Sequence, residues 1–400
     1  DVYKRQAKNG SGIQGIVENV KIIPIKVSGS DVEVSLDNST DIFARGIDYA
    51  IAAKADIINL SVGWGFNQNS LLVTEALKKA IQNNILVVVA AGNASHSSLS
   101  YPCAFNEVIC VGAFNPDGRL SHFSNKGSSV DILAPGFKIL STWPLSLRSV
   151  NFTQRTGYEY KDGTSFAAPF VVGALAKLLN QGFSPEVSKI KLYQGARENK
   201  TKGLILNGNL DVERAIESTP LSFIYPYKKT PAIVNWDKKE KRIRLSYKNY
   251  NMDAKDITLK LRSSNAEIVV RKPVYKIDLW KKNEVKELDF HVSGPDVIDS
   301  EMSFTLEIDS LDESKFYPVQ VIASSIIHDK FNRQDAELTK GKFRSKISQH
   351  TIKAFKNISR FENRDYLVIN ESKEKVSWAL LKYTKGAYHL SKLQNTNLDK

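Results

Sequence analysis

Gly163-Thr-Ser-Phe-Ala-Ala-Pro169 opens an apolar run that ends at Leu179, placing a lone Ser165 at the mouth of what reads as a buried helix. In a first helical turn the backbone N–H groups lack partners and the helix dipole presents its positive end. A hydroxyl there could serve as a nucleophile with anion-stabilising donors beside it. Gly163 permits a sharp turn and the close approach of a second backbone. Pro169 comes early in the run, where a missing N–H costs least. The same residues also fit an ordinary core helix with a capping Ser, and this stretch alone leaves both readings open.

The elements that must position Ser165 are legible as an alternation. Residues 55–62 and 85–91 are short apolar runs that suit buried strands, and 20–27 reads as a third. Between them, 41–51 has helical periodicity behind Ser39 and Thr40 caps, and 70–83 has it again. Strand–helix alternation predicts a parallel sheet with helices on both faces and a ligand site off the carboxyl ends of the strands. The Gly-rich turns at 61–65 and 92–93 fall at those ends. After Pro220 the texture changes to alternating strands at 243–247, 256–261, 288–292, 302–308 and 317–323, the pattern of a β-sandwich. The expected division is 1–218, 221–335 and an incomplete β-rich segment over 340–400, which includes strand-like 366–370 and 376–383.

The 400 residues carry a net charge of +13, of which +3 falls before residue 221 and +10 after it. In Lys241-Arg-Ile-Arg-Leu-Ser-Tyr-Lys248 the positive residues alternate with apolar ones, as on a solvated sheet face. Attraction of this basic half to an anionic envelope or polymer is the competing reading; nucleic acid is not expected as a partner. No apolar run reaches the roughly 20 residues that a transmembrane helix requires.

Val88-Val-Ala-Ala-Gly-Asn93, Ser121-His-Phe-Ser-Asn-Lys-Gly127 leading to Asp131-Ile-Leu-Ala-Pro-Gly136, and Gly163-Thr-Ser-Phe-Ala-Ala-Pro169 together resemble the subtilisin-like serine peptidases (subtilases, peptidase family S8). The resemblance runs from residue 10 to about 215 and includes Gly12-Ile-Gln-Gly-Ile16 and Ile57-Ile-Asn-Leu-Ser-Val-Gly63. It implies a doubly wound α/β catalytic domain that hydrolyses peptide bonds in protein or peptide substrates through an acyl-enzyme on Ser165. Asn93 would donate its side-chain amide to the oxyanion beside the Ser165 N–H; its ordinary alternative is a turn residue after Gly92. Substrate contacts would come from Ser61, Val62, Gly63, Trp64, Gly65, Ala90, Ala91, Gly92, Gly163 and Thr164. Cys103 and Cys110 could close a small loop or remain two buried thiols, and the largely secreted habit of the family favours the disulfide and a secreted or envelope location. Asn9-Gly-Ser-Gly-Ile-Gln-Gly15 resembles a calcium-binding loop of the family, which makes calcium an expectation for the full-length protein only; no metal site is assigned to this sequence.

One departure stands out. Subtilases supply Asp and His before Ser, and no His-Gly-Thr-like motif occurs here. His96 and His122 lie after Asn93, out of order for a general base. The chain opens on Asp1-Val-Tyr-Lys-Arg-Gln6, which reads as an adapter remnant, so the expectation is a truncated front end and an inactive or nearly inactive piece of a bacterial endopeptidase. The alternatives are a pseudo-peptidase that keeps the groove, an adhesive envelope protein, and a nucleophile-elbow hydrolase. Ala167, in place of the second Gly of Gly-x-Ser-x-Gly, disfavours the last.

Overall fold

The computed structural model describes residues 13–27, 36–65, 70–97, 100–145, 157–200, 204–227, 229, 232–235, 241–295, 301–310 and 314–324, together with the strands within 365–392. In chain order the first part comprises α1 (Leu36–Ala52), β1 (Ile57–Leu60), β2 (Trp64–Gly65), α2 (Leu71–Gln82), β3 (Leu86–Ala90), β4 (Ser100–Tyr101), β5 (Ile109–Phe114), β6 (Ile132–Pro135), β7 (Ile139–Thr142), β8 (Tyr158–Lys161), α3 (Thr164–Asn180), α4 (Pro185–Gln194) and α5 (Val212–Glu217). The strands β1-β3-β5-β6 form one parallel sheet.

All five residues of β3 are buried, as are the first five of β5. A parallel strand covered on both faces needs such a continuous apolar run. One face carries α3 through Ala167, Ala168, Val171 and Leu175, and the other lies with α1 and α2 through Ile47, Val73, Leu77 and Ala80. This is the α/β arrangement read from the alternation of runs.

Two expectations are corrected. Residues 20–27 form no strand: Pro24 removes a ladder donor, and the segment instead lies against α1, where a Cβ on Gly46 would come 2.9 Å from Val27. Helix α1 begins at Leu36, so Ser39 and Thr40 are helical rather than caps. Helix propensities of ordinary residues differ by only about 0.7 kcal/mol at most, so two polar β-branched or hydroxyl residues do not halt a helix.

The second part comprises β9 (Phe223–Pro226), β10 (Ala232–Asn235), β11 (Lys241–Tyr250), β12 (Ala254–Ser263), β13 (Val269–Val270), β14 (Val274–Trp280), β15 (Val285–Ser293), β16 (Glu301–Asp309) and β17 (Ser314–Ser324). They make two sheets, β13-β15-β11-β9 and β10-β17-β16-β12-β14. Alternate residues point inward, among them Ile243, Leu245, Leu259, Leu261, Phe290, Phe304 and Leu306, and they belong to the same apolar cluster as α3. Stacked rings of Tyr193 and Tyr225, 5.2 Å apart, continue this core from α4 into β9, and Tyr317 meets Tyr225 edge-on. β18 (Asp365–Ser372), β19 (Lys375–Thr384) and β20 (Ala387–Lys392) form a separate antiparallel sheet. The remainder of 340–400 and the end of the 221–335 segment lie outside the described residues.

The two parts meet at a wholly buried ion pair. Lys229 Nζ donates to Asp131 Oδ2 at 2.5 Å and to the Val108 carbonyl at 2.8 Å. Asp131 also accepts from the Cys110 N–H at 2.6 Å and from the Tyr225 hydroxyl. Buried charge is tolerated only when paired and hydrogen-bonded in this way. Among the described residues no helix is long and apolar enough to cross a membrane.

Candidate active site

Helix α3 starts at Thr164, and its buried face fixes its N-terminus against the parallel sheet. Gly163 just before it has φ +147°, a backbone conformation suited to glycine. Its N–H donates to the Gly136 carbonyl at 2.9 Å. A Cβ here would stand 3.5 Å from Asn93 Nδ2, so the glycine also keeps the space beside that amide open.

Thr164 decides which way Asn93 faces. Its N–H and its hydroxyl both donate to Asn93 Oδ1, at 2.9 and 3.0 Å, and the hydroxyl oxygen accepts from the Gly92 N–H at 3.0 Å. A backbone N–H can only donate, so the oxygen of the Asn93 amide must face Thr164 and the NH₂ must face away. Asn93 is exposed, whereas Thr164 is fully buried. The buried Thr164 side chain therefore holds Asn93.

Ser165 is the second residue of α3, in the turn where backbone N–H groups have no intrahelical acceptor. Its hydroxyl donates to the Ser61 carbonyl at 3.1 Å, and the Ser61 hydroxyl donates to the Ser165 carbonyl at 3.1 Å. Asn59 Nδ2 in turn donates to Ser61 Oγ at 3.0 Å. Pro169 explains the second bond. It is the sixth residue of α3, beyond the first turn, and it lacks the N–H that would bond to the carbonyl four residues back. That carbonyl belongs to Ser165, and Ser61 satisfies it.

Ser61, Val62 and Gly63 follow the end of β1, and Trp64–Gly65 pair antiparallel with Ser100–Tyr101. Ala90 and Ala91 are buried and Gly92 is half-buried at the end of β3. Burial raises the Tyr101 phenol above its ordinary pKa, which keeps it neutral. Cys103 and Cys110 are joined in a disulfide with Cα atoms 5.0 Å apart. The structure thus gathers Ser61, Asn93, Gly163, Thr164 and Ser165 at one place. His96 and His122 are elsewhere in their bonding: His96 pairs through its backbone with Asn125 and Lys126, and His122 lies edge-on to Phe123. Neither side chain is hydrogen-bonded to Ser165 among the described residues. Residues 9–12 of the calcium-loop stretch lie outside the described residues.

Asn125 was not singled out by the sequence pattern, although Ser121–Gly127 contains it. It is buried, its Nδ2 donates to the Ala91 carbonyl at 2.8 Å, and its Oδ1 accepts from the Ala94 N–H at 3.0 Å and the His96 N–H at 3.4 Å. One side chain thereby sets the curvature of the loop that carries Asn93. An Asn inside a polar run that follows a buried strand was the available signal.

Ser165 thus stands at a helix N-terminus next to Thr164, which holds the amide oxygen of Asn93. The model of the subtilase family matches residues 5–211, and the chain belongs to that family. It is 35% identical over 193 residues to the major intracellular serine protease of Bacillus subtilis (strain 168), covering 46% of this chain and 56% of that protein. It is 31% identical over 192 residues to the minor extracellular protease Epr of the same strain, covering 48% and 27%. Among solved structures, the self-cleaved protease domain of PatA is 32% identical, with a TM-score of 0.45 over 54% of this chain and 79% of that one. The chain spans little more than half the length of the first of these relatives.

Proposed function

We propose that the whole protein is a serine endopeptidase in which Ser165 is the nucleophile and Asn93 an oxyanion donor. The observation that carries this reading is the pair of hydrogen bonds from Thr164 to Asn93 Oδ1, which leaves the Asn93 amide hydrogens free of Thr164 to act as donors. Ser165 Oγ attacks the scissile carbonyl carbon, and the carbonyl oxygen takes the negative charge between the two donors. Collapse of the tetrahedral intermediate releases the amine and leaves an ester on Ser165, which water then hydrolyses. Losing a side-chain donor of this kind costs about 10²–10³ in turnover, a figure established on subtilisin itself.

The proton must pass through a base, and the Ser165 hydroxyl is bonded here to a carbonyl. We assign the base and its orienting Asp to the part of the relatives' length that this sequence does not span. By itself the sequence is then limited to the residual catalysis of an oxyanion hole. The 61–65 and 90–92 segments are read as the two walls of the substrate groove, meeting an extended protein chain by strand addition. The two later sheets are read as a β-sandwich domain whose basic outer faces are solvated, with attraction to an anionic envelope surface as the competing reading, and residues 340–400 as part of a further β domain. The disulfide supports an oxidising, secreted or envelope location. Relatives carry both intracellular and extracellular names.

The test joins this sequence to the Asp- and His-bearing segment of a subtilase and compares casein hydrolysis with that of its Ser165→Ala variant. The expected result is hydrolysis in the parent alone. Equal hydrolysis by both removes Ser165 from the role.

A further inference from the structure

We propose that Gln320, on β17 in the second part of the chain, is a positioning residue for the loop that carries Asn93. The proposal rests on the peptidase reading above. It makes the sheets after residue 220 a working part of the oxyanion site.

Loop 91–97 is laced to residues 123–127 along its whole length. The Ser95 N–H donates to the Phe123 carbonyl at 2.9 Å, the Asn125 N–H to the Gly92 carbonyl at 3.0 Å, and the Lys126 N–H to the His96 carbonyl at 3.0 Å. Asn125 adds its side-chain bonds to Ala91, Ala94 and His96. These bonds fix the two segments to each other; the near end of the loop is also held by Thr164 on Gly92 and Asn93, and the supporting segment by the Ala113 N–H on Ser124 and by the Leu204 carbonyl on Gly127.

Gln320 closes the far end. Its Nε2 donates to the Ser97 carbonyl at 2.6 Å, across 223 residues of sequence, and its Oε1 accepts from the Ser128 hydroxyl at 3.2 Å. One amide therefore grips the end of the oxyanion loop with its nitrogen and the end of the supporting segment with its oxygen. Gly127 lies between the two. Its φ is +110°, and a Cβ there would stand 3.0 Å from both Gln320 Nε2 and the Ser97 carbonyl, so the backbone is shaped to admit the glutamine.

The grip has a firm base. β17 is paired on both sides, with β10 and β16. Beside it the Lys229 N–H donates to Asn106 Oδ1 at 2.8 Å, and its ammonium is buried against Asp131 and Val108. A loop end attached to this base transmits less motion to Asn93, four residues before Ser97. A donor held in place ahead of the reaction avoids reorganisation when the charge develops.

Hydrogen–deuterium exchange on the full chain tests the proposal through two variants. Gln320→Glu keeps an acceptor for Ser128 but sets a carboxylate against the Ser97 carbonyl. Gln320→Met keeps the length and loses both bonds. The expected result is exchange about five- to tenfold faster in the peptide covering residues 91–97 for both variants, the scale of one lost hydrogen bond, with β3 and β12 unchanged. Unchanged exchange in 91–97, or equal acceleration in β3 and β12, overturns the proposal. In the joined peptidase the same variants are expected to lower kcat and leave KM in place; an effect on KM alone also overturns it. Exchange is read whether or not the chain cleaves a peptide. A failed Ser165→Ala comparison and a failed bracing test are therefore separate outcomes.

Discussion

Ser61 and Ser165 exchange hydrogen bonds: each hydroxyl donates to the carbonyl of the other, at 3.1 Å in both directions. One of these bonds replaces an intrahelical bond that Pro169 cannot make. The chain thus combines a proline in α3 with a serine just after β1, and the strand and the helix are fixed to each other at Ser165.

Ser61→Ala is expected to lower stability by about 1–2 kcal/mol, because the Ser165 carbonyl loses its donor. Pro169→Ala restores an N–H four residues after that carbonyl. In the Pro169→Ala background Ser61→Ala is expected to cost less than half as much, since only the bond from Asn59 is then lost. Urea unfolding of the four proteins measures the coupling. Strictly additive costs would show that Ser61 does not fill the gap left by the proline.

Much of this arrangement was legible in advance because it depends on local pattern. The five apolar residues of β3 could only be buried, and Gly-Thr-Ser before a long apolar run could only begin a helix. The bond of Thr164 to Asn93 was not legible, because nothing in sequence tells whether a hydroxyl at a helix start faces inward. Asn125 and Gln320 act across 31 and 223 residues, and a polar side chain carries no mark of the backbone group it will meet. Nothing local marks Lys229 as buried, because its partner Asp131 lies 98 residues earlier, yet its ammonium is wholly buried. The expected strand at 20–27 failed for a local reason, the proline at its centre.

The Asp131–Lys229 pair should behave as a buried charge that cannot lose one member. Lys229→Met is expected to destabilise the chain by about 3–5 kcal/mol, because Asp131 is left buried without its cation. Adding Asp131→Asn removes the stranded charge and keeps an acceptor for the Cys110 N–H. The double variant should recover a substantial part of the loss, read as the shift in urea midpoint at constant slope. A double variant no more stable than Lys229→Met would mean that the cost lies in packing and not in charge.

Lys189, on α4, reports on the same junction through pH. Its half-buried ammonium donates to the Glu107 carbonyl at 3.0 Å, and partial desolvation, with the like charge of Lys229 added, pushes its pKa down to about 8. An unfolded lysine titrates near 10.4, so between about pH 8 and 10.4 the unfolded chain holds a proton that the folded chain has released. Stability contributed by Lys189 therefore increases as pH rises through that window, and it is lost as pH falls through 8. Tyr193 and Tyr225 act in the opposite sense above pH 10: burial first, then Asp131, hold their phenols protonated in the folded state while the unfolded chain ionises. Urea midpoints of the parent chain, compared with Lys189→Met at pH 7.5 and 9.5, isolate the lysine below the tyrosine range. The difference between the two proteins is expected to shift in favour of the parent at the higher pH. An unchanged difference would place the Lys189 ammonium in water and not in the junction.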